Sequence, residues 1–197
     1  MSGSGYLRSK IARRFEESIR VKRAITGDMV AEIENIITSI IASLKAGGKV
    51  VLFDNGGSAA DTQHIAGELV GKLLLERQAL PAIALNTNIS ILTALANDYG
   101  YESVFRRQVE ALVNENDIVI GISTSGNSPN VIEALEAAKL IGAKTVTLTE
   151  GSGGKMSDAA DINIIVPSDV TPRIQEAHIT IGHIICEMVE IEMAGSG

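Results

Sequence analysis

Between residues 7 and 19, Leu7, Ile11, Phe15 and Ile19 recur at every fourth position among arginines and lysines, which predicts an amphipathic helix with a solvated basic face. From 28 to 44, Met29, Ile33, Ile36, Ile37, Ile40, Ile41 and Leu44 keep helical spacing, with Asp28 as the expected cap and Gly47 and Gly48 as the stop. This second helix is apolar on two faces, more than one sheet face covers, so it is expected to pack against another subunit as well. Five short apolar runs follow, at 50–54, 82–86, 118–123, 145–149 and 162–166, and each leads through a polar turn into a helical stretch. The closing helix is expected over 172–193, with 194–197 as a frayed tail.

Strands that alternate with helices in this way predict an α/β fold: a doubly wound, five-stranded parallel sheet in a flavodoxin-like three-layer α/β/α arrangement, with extra N-terminal helices. Residues 1–48 read as N-terminal helices for oligomerisation, and 49–197 as the α/β domain, the two forming one structural unit. Ligands in such a sheet belong at the carboxyl ends of the strands, where the strand order reverses.

Composition narrows the function. At 197 residues the chain fits one core, and with 45% hydrophobic but only 3% aromatic residues that core is built from Ile, Val, Leu and Ala. A net charge of -7 argues against a nucleic-acid partner, because phosphate backbones are held by clustered Lys and Arg. Cys186 is the single cysteine, so neither an intrachain disulfide nor an all-cysteine metal cage forms. Residues 1–5 lack the apolar core of a secretory signal and no apolar run reaches the ~20 residues of a membrane span, so a cytoplasmic protein without a membrane partner is expected.

The run Gly121-Ile122-Ser123-Thr124-Ser125-Gly126-Asn127-Ser128-Pro129 joins a buried strand to a helix, with Ser128 suited to the cap and Pro129 to the first helical position. Backbone N–H groups at such a helix start favour an anion, and hydroxyls add neutral donors to a phosphate. A serine-rich turn that merely caps its helix accounts for the spacing about equally well. Placement favours the phosphate, because a second polar turn, Asn55-Gly56-Gly57-Ser58, also links a strand to a helix and would meet the first at one sheet edge. No nucleotide cofactor is expected: in Gly151-Ser152-Gly153-Gly154-Lys155-Met156-Ser157, Met156 stands where a P-loop needs Ser or Thr, and a dinucleotide fingerprint needs glycine there. That segment reads as a flexible loop.

His64 and Glu68 are four apart on the helix after Ser58, so they share a face; taken alone, such a pair is more often a solvated ion pair than a ligand or acid/base set. On the last helix Gln175 and His178 share a face, and His183 comes round to nearly the same side ~12 Å further along. His178 reads as a packed imidazole.

Together, Asn55 to Asp61, Gln63-His64, Glu68, Gly121 to Ser128, Arg173-Ile174-Gln175-Glu176, His178 and His183 resemble the bacterial phosphoheptose isomerases, within the sugar-isomerase (SIS) superfamily, over nearly the whole chain. The resemblance implies a homotetramer with active sites at subunit interfaces. It implies conversion of sedoheptulose 7-phosphate to D-glycero-D-manno-heptose 7-phosphate for surface polysaccharide. By position, Ser123, Thr124, Ser125 and Ser128 would hold the phosphate, Asn55, Gly56, Gly57 and Ser58 would line the sugar site, and Asp98 would contact a sugar hydroxyl. Glu68 and His183 match the acid/base pair, while His64, Glu68, Gln175 and His183 match a zinc site. Family members often carry an acidic residue where this chain has Pro172, and Asp169 lies three residues earlier. The contrasting reading from another class is a non-catalytic SIS adaptor or sugar-phosphate-sensing regulator, which would have less need of those four residues together.

Overall fold

The computed structural model describes residues 3–195, so Met1, Ser2, Ser196 and Gly197, the ends of the two terminal segments considered above, lie outside the described residues. The chain runs α1 (Gly3–Arg23), α2 (Gly27–Lys45), β1 (Val50–Phe53), α3 (Gly56–Val70), β2 (Ala82–Ala84), α4 (Ile89–Tyr99), a 3-10 turn (Tyr101–Ser103) and α5 (Arg106–Leu112). It continues through β3 (Ile118–Ile122), α6 (Pro129–Ile141), β4 (Lys144–Glu150), α7 (Met156–Ala159), β5 (Ile162–Val166) and α8 (Thr171–Ala194). The five strands are parallel in the order β2-β1-β3-β4-β5.

Side chains alternate across this sheet with the period of two that strands impose. Val50, Leu52, Ile118, Ile120, Val146 and Leu148 face a core closed by α2, α3 and α8, whereas Val51, Phe53 and Val119 face one closed by α5, α6 and α7. Burial on both faces explains why the strands read as unbroken apolar runs. Phe53 stacks on Phe105 with ring centroids 5.2 Å apart, which fixes the end of β1 just below the loop that follows it.

Strand order reverses between β1 and β3, where Phe53 is in register with Gly121. The loops that leave Phe53 and Ile122 therefore emerge side by side. Both are the polar turns picked out in the sequence.

Several expectations are corrected. Thr26, in extended conformation, is the N-cap of α2, and Asp28 sits instead in the first turn, where its charge complements the helix dipole. The second strand ends at Ala84, because Asn86 turns inward to donate to Asp54 O, Ala59 O and Thr62 Oγ1. Nor is 151–157 a loose loop: Gly153 and Met156 are buried and α7 starts at Met156. On α1 the predicted stripe is present, and Leu7, Ile11, Phe15 and Ile19 are 40 to 68% exposed.

Candidate active site

After β3 the chain turns back on itself at once: Gly126 N–H donates to Ser123 O, and Asn127 Nδ2 donates to Ser125 O. The turn draws the Ser123 and Ser128 hydroxyls to 2.8 Å and those of Ser123 and Ser125 to 3.5 Å. Ser128 is the N-cap of α6 and Pro129 follows, as expected, but the Ser128 hydroxyl faces Ser123 and does not cap a backbone N–H. Ser123 is buried, Thr124 and Ser128 are half-buried and Ser125 is exposed, so the hydroxyls run from the sheet out to solvent.

The loop after β1 is clasped to this one by side chains. Asn55 and Asn130 exchange reciprocal amide hydrogen bonds of 3.0 and 2.8 Å, and the Tyr101 hydroxyl donates to Asn55 Oδ1 at 2.9 Å. Gly56 and Gly57 are exposed at the start of α3, and Ser58 is buried beneath them. Asp54 is buried at 4% exposure between the strand end and this helix start. Burial raises its carboxyl to about 7, although the Asn55 N–H and Ser58 hydroxyl pull it partly back.

The second group of residues lies further down the α3–α8 pair. Both helices descend from strand ends, so they run parallel, and Gln175 Nε2 meets Ser58 Oγ at 3.3 Å near their tops. Ten residues along α3 from Ser58, ~15 Å of helix, Glu68 is 8% exposed. His64 Nε2 lies 3.0 Å and His183 Nδ1 2.8 Å from the same oxygen, Glu68 Oε1. The two imidazoles meet edge to face with centroids 5.1 Å apart. The helices come this close because Gly182 faces Ile65: a Cβ at Gly182 would stand 2.7 Å from Ile65 Cδ1. Beneath the carboxylate, burial raises the Cys186 thiol and the Glu68 charge raises it further.

The structure thus brings His64, Glu68 and His183 together, one ligand atom from each within 4.8 Å of the others. Gln175 is at Ser58, on the side of the hydroxyl loop. Asp98 is exposed on α4 and accepts from Asn97 Nδ2 at 2.8 Å. Asp169 is exposed in the turn before α8. His178 is fully buried, its Nε2 3.2 Å from Thr149 O, and burial lowers it to about 4, so it is a neutral packing group. Sequence reasoning assigned no role to Asp61, whose carboxyl is raised by burial and drawn back down by the neighbouring His64 and His183. Its position three residues before His64 on one helix face was the available signal. Asn130 and Tyr101, which fix Asn55, carried none.

Two polar loops at the switch point of a parallel sheet, above a carboxylate with paired imidazoles, stand on an α/β domain of the sugar-isomerase class, since residues 15–150 match the SIS domain family. The chain is 54% identical to the phosphoheptose isomerase of Aquifex aeolicus (strain VF5) over 92% of this chain and 95% of that protein. A phosphoheptose isomerase structure from Francisella tularensis superposes with a TM-score of 0.89 at 38% identity, covering 93% of this chain and 97% of that one. One from Neisseria gonorrhoeae gives 0.88 at 40%, covering 94% and 99%. The chain belongs to the phosphoheptose isomerase family.

Proposed function

We propose that this chain interconverts sedoheptulose 7-phosphate and D-glycero-D-manno-heptose 7-phosphate, supplying heptose for surface polysaccharide from the cytoplasm. The observation that carries the reading is the shared oxygen of Glu68, held by His64 and His183 on the helix pair whose upper end adjoins the hydroxyl loop.

Ketose to aldose conversion removes a proton from C1, passes through an enediol and returns a proton to C2, so C1 is oxidised to the aldehyde as C2 is reduced to the alcohol. Glu68 takes the C1 proton and His183 delivers one to C2, while the O1 hydroxyl proton passes to O2, and the proton left on Glu68 returns to His183 across their 2.8 Å contact. Ser123, Thr124, Ser125 and Ser128 hold the phosphate with neutral donors, and Asn55, Gly56, Gly57, Ser58, Gln175 and Asp98 orient the open chain. Binding without turnover gives no reason for a buried carboxylate flanked by two imidazoles.

The donor set also fits a divalent ion of borderline softness. Two imidazoles and a carboxylate converge, and the buried Glu68 Oε2 meets no donor stronger than the neighbouring Cys186 thiol. His64, Glu68 and His183 would hold zinc, which when bound polarises a substrate carbonyl oxygen, whereas Gln175, expected as a fourth ligand, is turned to Ser58. The exposed stripe of Leu7, Ile11, Phe15 and Ile19 supports self-association through α1, and we read the assembly as a homotetramer.

Incubating purified protein with sedoheptulose 7-phosphate, with and without a chelator, tests the reading. Aldose is expected to accumulate. Tight binding with no aldose under either condition would replace the isomerase by a sugar-phosphate-binding adaptor.

A further inference from the structure

The glycine-rich segment 151–157 fits no nucleotide motif, and the isomerase chemistry leaves it without a role. It packs main chain to main chain against the middle of the hydroxyl loop. Gly126 and Gly154 face each other there, both at positive φ (63° and 57°). A Cβ on Gly126 would stand 2.6 Å from the Gly153 carbonyl carbon, and one on Gly154 would stand 2.7 Å from the Gly126 carbonyl carbon and 2.8 Å from Asn127 Nδ2. Backbone atoms cannot rotate aside as a side chain would, so either substitution separates the two segments.

Hydrogen bonds close the same seam. Met156 N–H donates to Gly126 O at 3.0 Å and Lys155 N–H to Asn127 Oδ1 at 3.3 Å, while Asn127 Nδ2 donates to Ser125 O at 2.7 Å. The far side is anchored by Met156, which is fully buried, and by Gly153 N–H on Glu150 O. Ser125 and Asn127 are therefore held from outside their own loop, at the point where the chain reverses between Ser123 and Ser128.

We propose that the turn between β4 and α7 is the mould for the phosphate loop, with Gly154, Gly126 and Asn127 acting as positioning residues for the phosphoryl end of the substrate. This deepens the phosphate-pocket reading and rests on it. A pocket made of hydroxyls and N–H groups has no long-range charge to tolerate misplacement. Its donors grip an anion only when each already points to one centre, and shifts of ~1 Å forfeit them. Damage to the seam therefore appears in binding of the phosphate and spares proton transfer at Glu68, which lies far along α3.

The test compares Gly154→Ala with Gly151→Ala. Gly151 has nearly the same φ, 59°, but a Cβ there meets nothing within 4 Å, so it carries the conformational strain without the collision. For Gly154→Ala, KM for sedoheptulose 7-phosphate and Ki for inorganic phosphate are expected to rise about tenfold or more, with kcat within about threefold of the parent. For Gly151→Ala, KM stays within about twofold and only the melting temperature falls. Asn127→Ala, which opens the clasp without a clash, is expected to follow Gly154→Ala and replaces it if that variant does not fold. Equal KM for the Gly151 and Gly154 variants, or a loss of kcat with KM unmoved, overturns the proposal. Ser123→Ala separates the layers. If it also leaves KM unchanged, the phosphate-pocket reading fails; if it raises KM while the Gly154 and Asn127 variants do not, only the mould fails.

Discussion

His183 Nδ1 on α8 lies 2.8 Å from Glu68 Oε1 on α3, a contact made possible by two parallel helices that stay in register along their length. Ser58 meets Gln175 near the top and Leu73 meets Glu190 near the bottom, each pair 117 residues apart in sequence. The proposed phosphate loop at one end and the proposed proton-transfer group partway down thus belong to a single rigid unit.

Glu68→Gln keeps the shape and hydrogen-bonding reach of the side chain but removes its basicity. Turnover is expected to fall ~10²- to 10⁴-fold, while the dissociation constant for sedoheptulose 7-phosphate changes little. Single-turnover kinetics together with calorimetric titration check both halves; a variant isomerising at the parental rate would remove Glu68 as the base.

The Asn55–Asn130 clasp is an amide pair in which Asn130 is buried and Asn55 half-buried, and leaving half of it without partners costs ~1 kcal/mol. Asn130→Leu is expected to lower the melting temperature by several degrees and to raise KM, because Asn55 is then held by Tyr101 alone. An unchanged KM would mean that the two loops are aligned by the sheet without this bridge.

The sheet was legible in the sequence because strands buried on both faces must be continuous apolar runs. The first and third end one residue early and the second two, where Asn86 supplies inward hydrogen bonds that propensity does not reveal. The His64–Glu68 pair was legible from its helical spacing, but the arrival of His183 depended on a neighbouring helix and on the Gly182–Ile65 approach, which no local pattern encodes. The 151–157 segment misled because glycines signal flexibility in a sequence, whereas here some of them permit close packing. Asn130 carried no signal, since its partner is 75 residues away.

Two buried groups make opposed contributions to stability across the acid range. Asp54 ionises near 3.8 in an unfolded chain and at about 7 in the fold, so its favourable contribution is complete below pH 3.8 and drains away as pH rises to 7, roughly 4 kcal/mol in all. His178 is charged below 6.5 when unfolded but stays neutral to about 4 when folded, so its contribution is complete above 6.5 and is lost as pH falls toward 4, roughly 3 kcal/mol. Between 4 and 6.5 the two slopes oppose each other. Asp54→Asn is therefore expected to melt higher than the parent at about pH 8 and to gain a steeper rise of stability from pH 4 to 6.5. Melting curves across that range decide it: identical slopes for variant and parent would place the Asp54 proton elsewhere.

Glu190 closes the lower end of the α3–α8 pair. Its buried carboxylate accepts N–H groups from Leu73, Leu74 and Leu75 and pairs with Arg77 Nε at 3.2 Å. Burial alone would raise this carboxyl, but those three N–H groups and Arg77 outweigh it and hold the carboxyl below its ordinary value. Arg77 in turn donates to the backbone oxygen of Glu68 at 2.8 Å, so the pair braces the turn of α3 that carries the Glu68 carboxylate. Glu190→Gln leaves the buried guanidinium without its counter-charge, a loss expected to cost about 3–5 kcal/mol. Denaturant unfolding should show the midpoint falling at unchanged slope. Because the brace acts through Glu68 O and not through its side chain, kcat measured well below the new melting temperature should fall much less than in Glu68→Gln. A variant as stable as the parent would show that the three N–H groups, which a glutamine oxygen still accepts, hold this end of the helix pair without the charge.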